Sequence, residues 1–178
     1  MPSASDFLDL LAGQRQTRAF TDEPVSDADL HSLLEVMRWT GSAGNSQPWK
    51  FIVVRDPETK ESLSESVDSM SWIANTPLVL VVVVEEGKGS TRMHDLGRMD
   101  ERILLAAQAL GLGAGIVSFW NAEAKERGRA VLHLPDGWTL FSAVGIGHPA
   151  KPAAPAKNGG RKPLDELVSW NTFGEPRS

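Results

Sequence analysis

The sequence predicts a β-sheet covered by helices on both faces, on three observations. Leu78–Val84 is a β-branched run that is apolar at every position, as suits a strand buried on both sides. Met93–Leu110 sets Leu96, Met99, Ile103, Ala107 and Leu110 in one helical stripe, long enough to lie along such a sheet. Other helical and strand-like segments alternate with these, without internal repeat or convincing boundary, so residues 1–178 read as one domain.

Ser3 and Asp6 form a capping box ahead of Phe7, Leu10 and Leu11, which share a helical face, and Gly13 ends that helix. Ser26 and Asp29 repeat the device, and Leu30, Leu33, Leu34 and Met37 carry an amphipathic helix to about Thr40. Gly41–Pro48 is a loop by composition. Phe51–Arg55 reads as a strand, and Asp56-Pro57 opens another helix with Pro at its first position. After Asn75-Thr76-Pro77 come the buried strand and the long helix, for which Gly111 is the C-cap. Ile116–Phe119 is a third strand, Asn121 caps a helix to about Leu132, and Thr139–Gly147 is a fourth strand. His148–Pro163 turns to Pro, Ala, Gly and Lys and reads as an extended connector. Apolar Leu164, Leu167, Val168, Trp170 and Phe173 follow it. An arm over about 148–178 therefore has to dock somewhere, and a second subunit is one economical place.

A net charge of −5 argues against a nucleic-acid partner, which selects a basic face. The absence of cysteine removes disulfides, thiolate nucleophiles and thiolate metal sites together, and fits a reducing cytoplasm. Asp6 and Asp9 stand where a secretory signal carries basic residues. The longest apolar run, Leu78–Val84, is far below the roughly 20 residues that span a bilayer. The expectation is a cytoplasmic protein without a membrane partner. His31, His94, His133 and His148 are scattered, so no metal site is expected. Gly111-x-Gly113-x-Gly115 follows a helix instead of a strand, which rejects it as a dinucleotide fingerprint.

Two segments carry chemistry. In Arg15-Gln16-Thr17-Arg18-Ala19-Phe20, two arginines three positions apart are able to hold a phosphate; the same residues also suit a solvated, basic helix end. In Ser42-Ala43-Gly44-Asn45-Ser46-Gln47-Pro48-Trp49, amides and hydroxyls beside a Trp are able to bond the edge of a planar heterocycle; a structural turn has the same composition. His94-Asp95 is either a proton relay or the start of a surface helix.

Taken together, Arg15 through Val54 resembles the N-terminal signature of the nitroreductase family. There an Arg-Ser-x-Arg-x-Phe segment precedes a capped helix and an S-x-x-N-x-Q-P-W-like loop. The matching residues are Arg15, Arg18 and Phe20, then Glu23-Pro24-Val25, then Ser42, Asn45, Gln47, Pro48 and Trp49. Leu105–Gly113 is similar to the family's L-A-A-x-x-L-G-L-G, Val144–Pro149 to its I-G-Y-P strand end with His148 in place of Tyr, and Arg161-Lys162-Pro163-Leu164 to its basic stretch. The resemblance implies an α+β three-layer sandwich, with a mainly antiparallel central sheet flanked by helices, in an intertwined homodimer. It implies two FMN sites at the dimer interface. Arg15, Gln16, Thr17 and Arg18, with Arg161 and Lys162, would hold the phosphate and ribityl end. Ser42, Ala43, Asn45 and Gln47 would come from the partner subunit's copy of the loop to edge the ring, and the backbone at Val117 and Ser118 would approach its other side. Trp49 and Trp72 are the two tryptophans to suspect near the flavin.

The implied activity is ping-pong hydride transfer from NAD(P)H through flavin N5 to a nitroaromatic, quinone or similar conjugated acceptor, with no catalytic side chain required. A specialised flavin enzyme, such as a dehalogenase or metabolite oxidase, and a non-catalytic flavin-binding protein are the other readings. The sequence departs from the family pattern at Gln16 (Ser is usual), at Gly41 (Pro is frequent) and at Glu101-Arg102 (a Gln-Asn pair is common). Val67–Trp72, where family members often build a substrate lid, is short.

Overall fold

The computed structural model describes residues 3–87, 91–152 and 160–175. Four strands, β1 (Trp49–Val54), β2 (Leu78–Glu85), β3 (Gly113–Ser118) and β4 (Trp138–Gly147), form one sheet in the order β1-β2-β4-β3, with every neighbouring pair antiparallel. The helices are α1 (Ala4–Gly13), α2 (Asp27–Arg38), α3 (Pro57–Ser64), α4 (Thr91–Ala109) and α5 (Ala122–Val131).

The apolar run in β2 behaves as its composition demands. Leu78, Leu80, Val82 and Val84 pack with Leu33 and Met37 of α2 and with Leu96, Met99 and Ile103 of α4. Val79, Val81 and Val83 point the other way, to Leu63 of α3 and Ala124 of α5. Alternation along one strand thus feeds two cores, and the sheet is the middle of three layers.

Local chemistry sets the helix ends. Ser3 and Asp6 close the expected capping box on α1, Ser26 caps α2, Asp56 caps α3 with Pro57 behind it, and Asn121 caps α5. Gly111 ends α4 at φ +74°, donating to Gln108 O at 3.0 Å while Leu112 donates to Ala107 O at 2.8 Å, the paired bonds of a Schellman motif.

Three expectations are corrected. β3 begins at Gly113, not Ile116, because Gly113 and Gly115 sit opposite Gly147 and Gly145 in β4. Glycine is a poor strand former, so the pairing is hidden from propensity. Residues 67–72 are not merely a short stretch: a 3₁₀ helix, Asp68–Asn75, buries Met70 and Ile73 in the second core. On α1, the face shared by Phe7, Leu10 and Leu11 is not buried by its own chain: Phe7 and Leu11 are exposed, as is Leu8, and Leu10 is half-buried. Leu164, Leu167, Val168, Trp170 and Phe173 of the arm are exposed as well, and residues 153–159 of the connector lie outside the described residues.

β4 contains a bulge: Val82 pairs with Ser142 and Val83 with Leu140, leaving Phe141 as the extra residue. Ser142 is thereby turned towards α4, where its hydroxyl donates to Asp100 Oδ1 at 2.7 Å. Burial pushes the Asp100 carboxyl up to about 6, against the lowering effect of that hydrogen bond. Among the described residues, no helix is long and apolar enough to cross a membrane.

Candidate functional site

The segment Arg15–Phe20 is laid along the outer edge of β3. Thr17 N–H donates to Ala114 O at 2.9 Å, and Ile116 N–H donates to Gln16 Oε1 at 3.0 Å. Further on, Ala150 N–H donates to Ala19 O at 3.0 Å, Thr21 N–H to His148 O at 2.9 Å, and Phe20 bridges Pro149. So close an approach requires Gly115: a Cβ there would strike the carbonyl oxygen of Thr17 and lie 3.3 Å from Arg18 Cγ.

The segment divides between two cavities. Gln16, Thr17, Arg18 and Ala19 line a cavity of about 260 Å³ together with Lys151 and Pro152. Arg15 faces elsewhere, its Nη1 donating to Ala12 O at 2.9 Å and to Gln14 O at 2.6 Å, and it lines a separate cavity of about 160 Å³ with Thr17, Leu104 and Gln108. Arg161 and Lys162 stand in the exposed arm and are not among the residues lining either cavity.

In the larger cavity a guanidinium, an ammonium, an amide and a hydroxyl converge. None of the ion pairs among the described residues involves Arg18 or Lys151. Two uncompensated cations beside neutral donors match the needs of a phosphate monoester. Lys151 escaped sequence reasoning because a single lysine in a Pro- and Ala-rich connector carries no signal of its own.

β3 contributes backbone. Residues 114 and 116 direct their outer groups away from β4, and alternation turns the N–H of Ser118 the same way, roughly 7 Å along the edge. Val117 contributes no side chain here, since it is buried in the second core. Trp72 lies beside the cavity, with the Arg18 guanidinium carbon 5.8 Å from its ring centroid, whereas Trp49 is buried in the first core.

The loop after α2 is held at the other end of α4. Asp95 Oδ2 accepts the N–H of Ala43 at 2.8 Å, and Arg98 donates to Gly41 O at 3.1 Å and to Asp95 Oδ1 at 3.3 Å. Ser42 Oγ accepts the N–H of Gln47 at 2.9 Å. Gly44, Asn45 and Gln47 all have positive φ, of 60°, 53° and 46°. Left-handed backbone at Asn and Gln is strain of the kind found at binding loops, and the loop's own hydrogen bonds sustain it. Both side chains remain exposed. Asp95 is buried and anchors the loop, while His94 beside it in the first turn of α4 is exposed. A lone aspartate at the start of a helix gives no hint of this.

α4 therefore separates the two chemical segments. Asp95 anchors the loop, while Gln108 bonds Leu10 O and lines the cavity that holds Arg15. Thirteen residues of helix at 1.5 Å each place these anchors about 20 Å apart. One chain brings Gln16, Arg18, Lys151 and the Ser118 edge together, and holds Ser42–Gln47 away from them.

Comparison with known proteins places this geometry. A model of the nitroreductase family matches residues 11–85 and 69–148. A chain from Archaeoglobus fulgidus, provisionally named NADH dehydrogenase/NAD(P)H nitroreductase, is 33% identical over 148 residues, which is 80% of this chain and 84% of that one. The fold superposes on an FMN-dependent nitroreductase from Clostridium difficile with a TM-score of 0.83 at 23% identity, covering 93% of this chain and 99% of that one. It also superposes on a Desulfovibrio desulfuricans protein, provisionally named a nitroreductase and solved with FMN, with a TM-score of 0.79 at 25% identity, covering 97% and 99%.

Proposed function

The chain belongs to the nitroreductase family, and from that premise we propose that it is an FMN-dependent oxidoreductase, working as a homodimer, that carries hydride from NAD(P)H to a nitroaromatic, quinone or similar conjugated acceptor. The observation that supports this best is the cavity in which Arg18 and Lys151, free of carboxylate partners among the described residues, meet Gln16 and Thr17 at the edge of β3. FMN, when bound, supplies a hydride-accepting and hydride-donating N5.

The chain's own groups then have distinct tasks. Arg18 and Lys151 would neutralise the phosphate, Gln16 and Thr17 would bond it and the ribityl chain, and the backbone at Val117 and Ser118 would approach the ring. No side chain is asked to act as nucleophile or general base. Arg161 and Lys162 would complete the phosphate site from the arm. Arg15 joins it on release from the carbonyls of Ala12 and Gln14.

The second subunit answers two facts at once. Ser42, Ala43, Asn45 and Gln47 lie too far along α4 to serve their own chain's cavity, so the partner subunit's copy of that loop would edge the ring. Exposed Phe7, Leu8 and Leu11 on α1, and the five apolar residues of the arm, form the kind of apolar surface that obligate dimers bury. The whole chain, 1–178, is then one FMN-binding unit whose arm reaches its partner.

The test is direct. Purified protein is expected to bind added FMN and to oxidise NADH or NADPH steadily when a nitroaromatic or quinone is present. Arg18→Ala is expected to weaken FMN binding by about 1.5–3 kcal/mol, the scale of a charged hydrogen bond. Protein that fails to bind added FMN would overturn the proposal.

A further inference from the structure

We propose that Trp72 is a positioning residue that makes the site select phosphorylated over unphosphorylated flavin, by holding the Arg18 guanidinium against its ring face. This rests on the reading of the Arg18–Lys151 cavity as a phosphate site.

Trp72 comes from the 3₁₀ helix Asp68–Asn75, and its berth is built by absent side chains. Gly145 of β4 faces Gly115 of β3 across the sheet. A Cβ on Gly145 would fall 2.5 Å from Trp72 Cζ3 and 3.0 Å from Cη2, and one on Gly115 would fall 3.1 Å from Cη2. The two glycines therefore form a trough that admits the six-membered ring onto bare backbone. The polar end of the indole is settled locally, since Nε1 donates to Ser69 O at 3.1 Å. Phe20 packs obliquely against the ring, with centroids 6.2 Å apart at 39°. A ring held on these sides has a defined orientation.

Arg18 lies over that ring at 5.8 Å. It has no ion pair among the described residues, so the contact with Trp72 is what restrains an otherwise long and mobile side chain. A guanidinium ordered before binding loses less entropy when it clamps an anion. The gain belongs to the phosphate and to no other part of the ligand. Trp72 thus acts on the choice between FMN and riboflavin, two ligands with the same ring.

The experiment compares dissociation constants for FMN and riboflavin, measured by flavin fluorescence on flavin-stripped full-length protein. Trp72→Leu fills the trough without an aromatic face. It is expected to weaken FMN about three- to fivefold, the range of an exposed cation–π contact, and to leave riboflavin unchanged. Trp72→Phe is expected to restore most of the FMN preference. Equal losses for both flavins would mean that Trp72 touches the ring or merely supports the fold, and would overturn the proposal; so would unchanged FMN binding. Arg18→Ala separates this from the underlying reading: it is expected to weaken FMN alone, about tenfold or more. If Arg18→Ala discriminates and Trp72→Leu does not, only the role of Trp72 falls. If Arg18→Ala changes neither flavin, the phosphate reading of the cavity falls. Should Trp72→Leu fail to fold, Gly145→Ala, which pushes the ring out of its berth, is expected to give the same selective loss of FMN.

Discussion

Asp95 accepts the backbone N–H of Ala43 at 2.8 Å, joining the first turns of α4 to a loop 52 residues earlier in the chain. Arg98 completes the joint by bonding both Asp95 and Gly41 O. Asp95→Ala would leave the part-buried N–H of Ala43 without its acceptor and Arg98 with Gly41 O alone, at a cost of about 1–3 kcal/mol. The loss is expected to appear locally, as faster amide hydrogen exchange at Ala43–Gln47 with the sheet's exchange unchanged. Asp95→Asn, which keeps an acceptor and drops the charge, should lie between. Unaltered exchange in the alanine variant would show that the loop holds its left-handed residues unaided.

Asp100 makes stability depend on pH in a definite direction. Its folded-state value of about 6 lies above the ordinary 3.8, so the folded chain binds the proton more tightly than the unfolded one. The associated stability is fully present below pH 3.8 and is lost as pH rises through about 6. The loss has a ceiling of about 3 kcal/mol, from 1.36 kcal/mol per unit. Asp100→Asn, neutral at every pH, should remove this dependence while keeping an acceptor for Ser142. Urea midpoints at pH 4 and pH 8 check it: the gap between them should shrink in the variant.

Gly115→Ala tests the close approach of the Arg15–Phe20 segment to β3. The added methyl meets the carbonyl of Thr17 and the stem of Arg18, both immediately beside the cavity. A misfit of this kind costs about 1–3 kcal/mol of stability. FMN affinity is expected to fall further than the melting temperature suggests, because the displaced residues are the proposed phosphate ligands. A variant that binds FMN normally would mean that the segment moves on binding.

Removing residues 160–178 tests the arm. Every described residue in it is exposed on its own chain, so its loss should leave the sheet and both cores folded. The truncated protein is expected to show native-like circular dichroism, a weakened dimer by light scattering, and poorer FMN retention. A dimer of undiminished strength would place the interface outside the arm.

What could be read from the sequence depended on how far each signal reached along the chain. The β2 strand and the α4 stripe were legible because their patterns repeat over many positions, and the caps at Ser3, Ser26, Asp56 and Asn121 because each is complete within four residues. Arg18 and the Ser42–Gln47 loop were found as motifs. What stayed hidden depends on pairing at long range. The start of β3 rests on glycines facing glycines in β4, Asp95 becomes an anchor only once the loop is folded against it, and Lys151 reaches the cavity only because Phe20 and Pro149 bridge. The division of Arg15 from Arg18 follows from local bonds of Arg15 to the carbonyls of Ala12 and Gln14, which no sequence pattern announces.

The 20 Å that α4 sets between its two anchors has a consequence in genetics. If each cofactor is clasped by the Arg18 end of one chain and the Asn45 end of another, two inactive alleles can rescue each other. A chain altered at Arg18 and a chain altered at Asn45 and Gln47 would each form dead homodimers. Mixed together, they form a heterodimer with one doubly damaged site and one wholly wild-type site. Random pairing of equal amounts then restores about one quarter of full activity from two null proteins, an outcome that sites confined to single chains would never give.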